Sequence, residues 1–403
     1  MKIAIVTTGQ LPVPATKGGA VENLIEFFLE ENEKSEDQYE LDVYSCFDQE
    51  ASKLALEKYP HVHFTFIQTN TFLFKCLDWF FIKLNRLIHI GRWFGHLVGM
   101  KIRKEKYDAV LVENYPFHCT SLKFYTSSPV VLHTHNRYVE ANYPLLAQFI
   151  KSIDGLICVS RFIASDAEKA KLATHTHFPI SVAYNGIHVE KFYKEYSEEE
   201  KLSLRKKLGI SEAQKVILFA GRFIPAKGVK ELVLAFRELP NIENYVLLII
   251  GSSAFSNSSS TPYIEEVKSL VMPIKDFVKF TGYVDYEDIS AYYAISDVQA
   301  VPSIWEEPAG LVSMEGMASC LPIVCSDSGG TPEQINDECA ITVRRGEGYE
   351  KRFSEALQYV LSDSVLRANM GKAGRERSRK FSTKCYYKNM LNSIKEVLVN
   401  EKS

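Results

Sequence analysis

The chain has no excess of charge of either sign: 47 Lys and Arg stand against 50 Asp and Glu, a formal net charge of −3. That balance gives no reason to expect a nucleic-acid partner. There is no Cys-x-x-Cys pair and no histidine at zinc-finger spacing. The eight cysteines (Cys46, Cys76, Cys119, Cys158, Cys320, Cys325, Cys339, Cys385) are scattered, which excludes a finger-type metal centre. Several lie inside apolar runs such as GLICVS and LPIVCS, where a buried free thiol is expected, and the pattern suits a reducing cytoplasm. The GxGxxG fingerprint of dinucleotide-binding dehydrogenases is missing. No run approaches the roughly 18 apolar residues of a membrane-spanning helix. The opening MKIAIVTTGQ lacks the apolar centre of a signal peptide and reads as a first buried strand. No repeat with a period of about 20 to 50 residues is visible.

What is present points to an α/β fold. Hydrophobic residues at 46% and charged residues at 24% are those of a soluble globular protein, and 403 residues are enough for two domains. Short apolar runs alternate with longer amphipathic segments: KIAIVTT, YDAVLVEN, PVVLHTH, GLICVS and ISVAYNG, then KVILFAG, YVLLIIGS, VKFTGYV, VQAVPS, LPIVCS and AITV. Nearly continuous apolar strands suit parallel sheets buried on both faces, joined by right-handed helical crossovers. A polar segment from about Gly186 to Ser211 separates the two sets. The expectation is two doubly wound Rossmann-like domains facing across a ligand cleft, residues 1–186 and 187–382, with a C-terminal helical tail. Within the tail, residues 383–403 form a last helix that packs back on the first domain. GSSAFSNSSSTP reads as a flexible polar loop.

Candidate chemistry gathers where strands give way to helices. In EPAGLVSME, Glu307 falls in a loop after a strand ending near Ser303, and Glu315 on the first turns of the helix that follows. Between them lie helix-terminal amides, near Ala309, Gly310 and Leu311, that are free to hold oxygen-rich ligands. Two carboxylates that accept from vicinal hydroxyls make a clamp for a sugar nucleotide. Arg222 and Lys227, in GRFIPAKG after a strand, offer a fork and a point charge to a diphosphate; the alternative is two solvated cations. Gly18 and Gly19 stand at the mouth of a helix beginning near Ala20, for a phosphate or sugar oxygen or simply for a tight turn. His135 ends the strand PVVLHTHN with His133 on the same face. It serves a sugar hydroxyl, a structural role or a metal, though no nearby Cys or Asp completes a metal site. Glu333, after Gly329 and Gly330 in SDSGGTPE, is a ligand contact or a helix cap.

Residues 71–106 have a character of their own. Aromatics including Trp79 and Trp93 interleave with Lys75, Lys83, Arg86 and Arg92, and acidic residues are few. Such a segment suits an anionic membrane surface or an acceptor. The alternative is a helix packed on the sheet with a solvated basic face. A groove for single-stranded nucleic acid is the remaining possibility, with no recognition fold to accompany it.

Taken together, KGGAVE, VSRFIA, YNGIHVEKF, GRFIPAKG, EPAGLVSMEGMA and SDSGGTPE resemble, in order and spacing, the retaining GT-B glycosyltransferases of family four. The opening segment is similar to bacterial members that build spore-coat, capsular and other surface polysaccharides. The resemblance implies a GT-B architecture and transfer of a hexosyl unit from a nucleotide-diphosphate sugar, with UDP expected, to a saccharide or lipid-linked saccharide. It implies Glu307 on the donor sugar, Glu315 on the ribose, Arg222 and Lys227 on the diphosphate, and His135 at the sugar. Gly18, Gly19, Ala309, Gly310, Leu311 and Glu333 would line the donor site. Front-face attack then needs no protein nucleophile, no metal and no cofactor. Ala309 departs from the bulky aromatic usual in the EPFG-like segment, and His188 from the usual Asp after Asn185-Gly186-Ile187. The enzyme is expected in the cytoplasm, peripheral on the inner face of the membrane. The other reading is a non-catalytic GT-B subunit that binds sugar or a partner enzyme.

Overall fold

The computed structural model describes residues 1–251 and 261–401, so most of the GSSAFSNSSSTP loop lies outside the described residues. The chain forms two units, Met1–Gly186 with Thr383–Ser403, and Ile187–Ser382. Both are parallel sheets flanked by helices.

The first unit has seven strands: β1 (Lys2–Val6), β2 (Glu40–Cys46), β3 (Val62–Ile67), β4 (Ala109–Glu113), β5 (Val130–Thr134), β6 (Gly155–Cys158) and β7 (Ile180–Val182). Their order is β3-β2-β1-β4-β5-β6-β7. Two of these, β2 and β3, are not among the runs read from the sequence, and each has a physical reason. ELDVYSC interrupts its apolar run with Asp42, whose buried carboxylate is satisfied by the Tyr107 hydroxyl at 2.5 Å. VHFTFI lies at the sheet edge, so its middle residues stay partly exposed and its composition is mixed.

The helix Thr383–Glu401 belongs to this unit. It packs against the helix Ala20–Glu33 and against β6 and β7. Ile394 and Val397 are sealed from solvent, and the Tyr387 hydroxyl donates to Asn32 Oδ1 at 2.9 Å. Gly155 at the start of β6 allows this close approach: a Cβ there would stand 1.9 Å from Val397 Cγ1.

Among the described residues the second unit has six strands: β8 (Lys215–Ala220), β9 (Tyr245–Ile250), β10 (Val278–Gly282), β11 (Val298–Val301), β12 (Ile323–Ser326) and β13 (Ala340–Val343). The order β10-β9-β8-β11-β12-β13 reverses direction between β8 and β11. The carboxyl ends of those two strands open the crevice where doubly wound folds hold ligands. The first sheet reverses between β1 and β4 in the same way. The core of the second unit is the apolar side of its sheet, with Ile217, Leu247 and Val298, against Leu232, Val233 and Phe236 of the helix Val229–Arg237. Burying Phe236 alone contributes up to roughly 3 kcal/mol.

Candidate functional site

At the crevice of the second unit, the loop after β8 passes directly over the loop after β11. Gly228 permits the crossing. Its φ is +70°, and a Cβ would stand 1.9 Å from the Pro302 carbonyl oxygen. The crossing sets Lys227, at the end of the short helical turn Pro225–Lys227, against Glu307: Nζ lies 2.5 Å from Oε2. The same carboxylate oxygen accepts from Trp305 Nε1 at 3.0 Å and from Ser303 Oγ at 3.4 Å. All three bonds fall on Oε2.

The backbone of Glu307 is tied to the loop after β12. Its N–H donates to Ser328 Oγ at 3.0 Å, and its carbonyl accepts from Gly330 N at 2.7 Å. Gly329 has φ +50° and leaves room for that carbonyl, which a Cβ would approach to 2.2 Å. Beside it, Arg345 after β13 holds Glu306 at 2.7 Å and Asp327 at 2.9 Å, and Glu306 also accepts from Gly329 N at 2.7 Å. Three loops therefore hold Glu307, and the loop after β13 braces its neighbour Glu306.

Eight residues on, Glu315 lies in the helix Leu311–Ala318 and points inward. It is 6% exposed, and its Oε2 accepts from the fully buried Tyr293 hydroxyl at 2.8 Å. Burial pushes its pKa up to about 7, with the Tyr293 hydrogen bond and the charge of Lys191 pulling the other way. The helix has no side-chain cap at Gly310. The amides of Ala309, Gly310 and Leu311 make no hydrogen bond among the described residues. Arg222, two residues past the end of β8, is exposed, and its side chain makes no ion pair or hydrogen bond among the described residues. Glu333 lies in the short helix Thr331–Gln334, with its carbonyl receiving Arg377 Nη2 at 3.1 Å. Among the residues that matter here, Trp305 and Tyr293 were missed in the sequence. Trp305 was legible as the one indole in the motif loop, but Tyr293 reaches Glu315 only through the fold.

In the first unit, Gly18 (φ +71°) and Gly19 (φ +111°) do stand at the start of the helix Ala20–Glu33. That helix mouth already carries a carboxylate. A Cβ on Gly19 would stand 2.2 Å from Glu22 Oε2, and the Thr8 hydroxyl donates to Glu22 Oε1 at 3.0 Å. Burial raises the pKa of Glu22, while its backbone and Thr8 hydrogen bonds oppose the rise. The site suits a hydroxyl better than a second anion.

His135 follows β5, with Nε2 3.2 Å from Glu113 Oε2 at the end of β4; His133 Nδ1 reaches the same oxygen at 2.9 Å. The sequence by itself offers no residue to complete a metal set with the two histidines. Glu113 completes a three-ligand group, because the β4–β5 register pairs it with His133. Metal-bound histidines normally donate their second ring N–H to a partner. His133 Nε2 is buried with none, so the group reads as two ring N–H donors on one carboxylate.

The 71–106 segment divides in two. The helix Phe72–Ile88 has only Asn85 fully buried, and its half-buried inner side packs on the helix Trp93–Ile102. Its outer face presents Phe72, Trp79, Phe80 and Leu87 alongside Lys75, Lys83 and Arg86, with Phe72 83% and Trp79 58% exposed. Lys83 Nζ lies 4.0 Å from the Trp79 ring centroid. Arg92 and Trp93 do not belong to this face. Arg92 is held through Nε and Nη2 by the Asp78 carboxylate, at 3.1 and 2.6 Å, and Trp93 packs on Phe81 at 5.0 Å. Both tie the helix Trp93–Ile102 to its neighbour. No helix among the described residues is long and apolar enough to cross a membrane.

A family model described as Glycosyl transferases group 1 matches residues 200–377, and one described as Glycosyltransferase Family 4 matches residues 49–191. The chain is similar to YtcC of Bacillus subtilis (strain 168), whose name calls it a glycosyltransferase, with 26% identity over 100% of this chain and 94% of the relative. It is 27% identical to spore coat protein SA of the same organism, over 93% of this chain and 94% of that one. Among solved structures, Anabaena HepE in complex with UDP-glucose superposes with a TM-score of 0.74 at 18% identity, covering 98% of this chain and 100% of that one.

Proposed function

The chain belongs to the family 4 glycosyltransferases of GT-B type, and we propose that it moves a hexosyl unit, with retention, from a UDP-sugar to a hydroxyl of a saccharide or lipid-linked saccharide in bacterial surface-glycan assembly. The observation that carries this reading is the convergence on Glu307: a cation, an indole N–H and a serine fill one carboxylate oxygen and leave Oε1 without a partner among the described residues. Oε1 is the atom offered to donor-sugar hydroxyls. Glu315 accepts from the ribose hydroxyls, and the amides near Ala309, Gly310 and Leu311 bind sugar and phosphate oxygens. Arg222 and Lys227 meet the diphosphate and stabilise it as it leaves, so the reading requires neither a metal nor a protein nucleophile. His135 and the Gly18–Gly19 turn serve hydroxyls, and Glu333 lines the donor site. The choice of UDP is supported by the UDP-glucose bound to HepE.

The exposed face of the helix Phe72–Ile88 is assigned to an anionic lipid surface. Its aromatics enter the headgroup region and Lys75, Lys83 and Arg86 meet the phosphates. On this reading the enzyme works at the inner face of the cell membrane.

The test is binding followed by turnover. UDP, GDP, dTDP and ADP are titrated without metal, then the sugar conjugates of the nucleotide that binds. Binding of UDP, strengthened by one sugar and lost in Glu315→Ala, with transfer lost in Lys227→Ala, is the expected result. Nucleotide binding without hydrolysis or transfer from any conjugate would establish the non-catalytic subunit instead.

A further inference from the structure

One fully buried acid in the first unit has no part in the function proposed above. Glu113 ends β4, and its Oε2 faces both His133 Nδ1 and His135 Nε2. Burial alone would raise its pKa, but the charge and hydrogen bond of His133, followed by those of His135, outweigh burial and hold it down to about 2. The carboxylate is therefore ionised and can only accept. Each ring nitrogen that faces it must carry the proton. His135 is pressed the other way: burial, then the neighbouring His133 ring, lower its pKa to about 4. A neutral imidazole with its proton on Nε2 has a bare lone pair on Nδ1.

That Nδ1 has no partner among the described residues, and unlike His133 Nε2 it is not one of the fully buried unpaired atoms. The backbone is held as firmly as the ring. Asn114, next to Glu113 and in the left-handed region at φ +55°, accepts His135 N–H on Oδ1 at 3.0 Å and Asn136 Nδ2 at 3.1 Å. The ring also packs on His133, centroids 4.2 Å apart. The other groups that act on Glu113 are Glu22 from the helix Ala20–Glu33 and Tyr386 from the C-terminal helix, and neither is hydrogen-bonded to His135.

We propose that Glu113 is a positioning residue that locks His135 in the Nε2–H tautomer, so that Nδ1 is presented as a hydrogen-bond acceptor to a substrate hydroxyl. The inference rests on the transferase reading only for the identity of that hydroxyl, which would belong to the sugar substrate. It differs from a metal site, in which the same nitrogens would be deprotonated ligands.

The test is nitrogen NMR of the full chain labelled in histidine, with His135 assigned from a His135→Gln spectrum. It is combined with steady-state transfer by wild type and Glu113→Gln. In the wild type, Nδ1 of His135 is expected bare and Nε2 protonated from pH 6 to 8. In Glu113→Gln the tautomer preference is expected to weaken, with kcat down about tenfold, the value of one hydrogen bond to a hydroxyl, and KM for the donor little changed. Glu113→Asp should recover part of both. A protonated Nδ1 in the wild type overturns the proposal, and this readout needs no variant to fold. A shifted tautomer with unchanged kcat also overturns it. A wild type that transfers no sugar defeats the transferase reading, while the tautomer is still read independently on the free protein.

Discussion

Glu315→Gln isolates the energetic cost of the buried carboxylate that the proposed function gives to the ribose. The Glu315 pKa rises from 4.5 to about 7 on folding because burial disfavours the charge. A carboxyl whose pKa is raised in the folded state contributes its stability below the unfolded pKa and loses it as pH rises through the folded one. Each pH unit that separates the two ionisations is worth about 1.4 kcal/mol, so the wild type should lose roughly 2–3 kcal/mol from this group between about pH 5 and pH 8. In Glu315→Gln that loss disappears. Any constant cost of the amide, such as an NH2 left without a partner, cancels in the difference between the two pH values. For a domain of roughly 200 residues the pH-dependent difference is worth about 5–10 °C in Tm. Thermal melts of both proteins at pH 5, 6, 7 and 8 are the assay, with the variant gaining on the wild type as pH rises. The same residue should weaken nucleotide binding at low pH. Ribose hydroxyls need the ionised acceptor, so wild-type affinity at pH 6 should be about tenfold below that at pH 8, with no such slope in the variant. Parallel melting curves at every pH would refute the argument, since they would mean that the carboxyl ionises no differently in the folded chain.

Lys227→Ala should abolish transfer, by about a hundredfold or more. It should also lower stability by roughly 1–3 kcal/mol, because Glu307 is left in a buried loop without its cation; chemical denaturation of Lys227→Ala, Glu307→Gln and the double variant would show the double less destabilised than the sum. Trp305→Phe keeps the ring but removes the N–H from Glu307, and is expected to raise KM for the sugar nucleotide while leaving affinity for the bare nucleotide unchanged, as isothermal titration would report. Lys83→Glu with Arg86→Glu should release the protein from vesicles containing phosphatidylglycerol in a sedimentation assay; Arg92→Glu should instead lower stability, since Arg92 is bound to Asp78.

The second unit was more legible than the first, and the reason is chemical. Five of its six strands are short and largely apolar, and edge strand β10 still alternates Val278 and Phe280 with Lys279 and Thr281, so every one was readable. In the first unit, β2 carries Asp42 and β3 lies at the edge, so neither has that signature. Motif residues were legible where one short segment holds them: Glu307, Gly310 and Glu315 share a single strand–loop–helix unit. What stayed hidden depends on register and loop crossing. The pairing of Glu113 with His133 is a consequence of β4 lying beside β5, and the pairing of Lys227 with Glu307 depends on Gly228 passing over Pro302. The split of residues 71–106 likewise required the structure, since Arg92 looks like a surface cation until Asp78 is seen beside it.

The Lys227–Glu307 pair has a consequence for selectivity. A site built for a charged donor must keep its own charges satisfied when empty, or the unit would bear the cost of buried, unpaired ions. Here the cation that the proposed function gives to the diphosphate, Lys227, and the carboxylate it gives to the sugar, Glu307, satisfy each other. A ligand with only one of the two parts can draw away one partner but strands the other. A bare diphosphate takes Lys227 and leaves Glu307 to Trp305 and Ser303 alone, and a bare sugar must compete for Glu307 without compensating the lysine. A nucleotide-diphosphate sugar supplies the phosphate and the hydroxyls together, so both ions are satisfied again. The sugar portion should therefore add more affinity when joined to the nucleotide than free sugar shows by itself. Titrating nucleotide, sugar and conjugate separately measures that coupling, which should vanish when Lys227→Met and Glu307→Gln are combined.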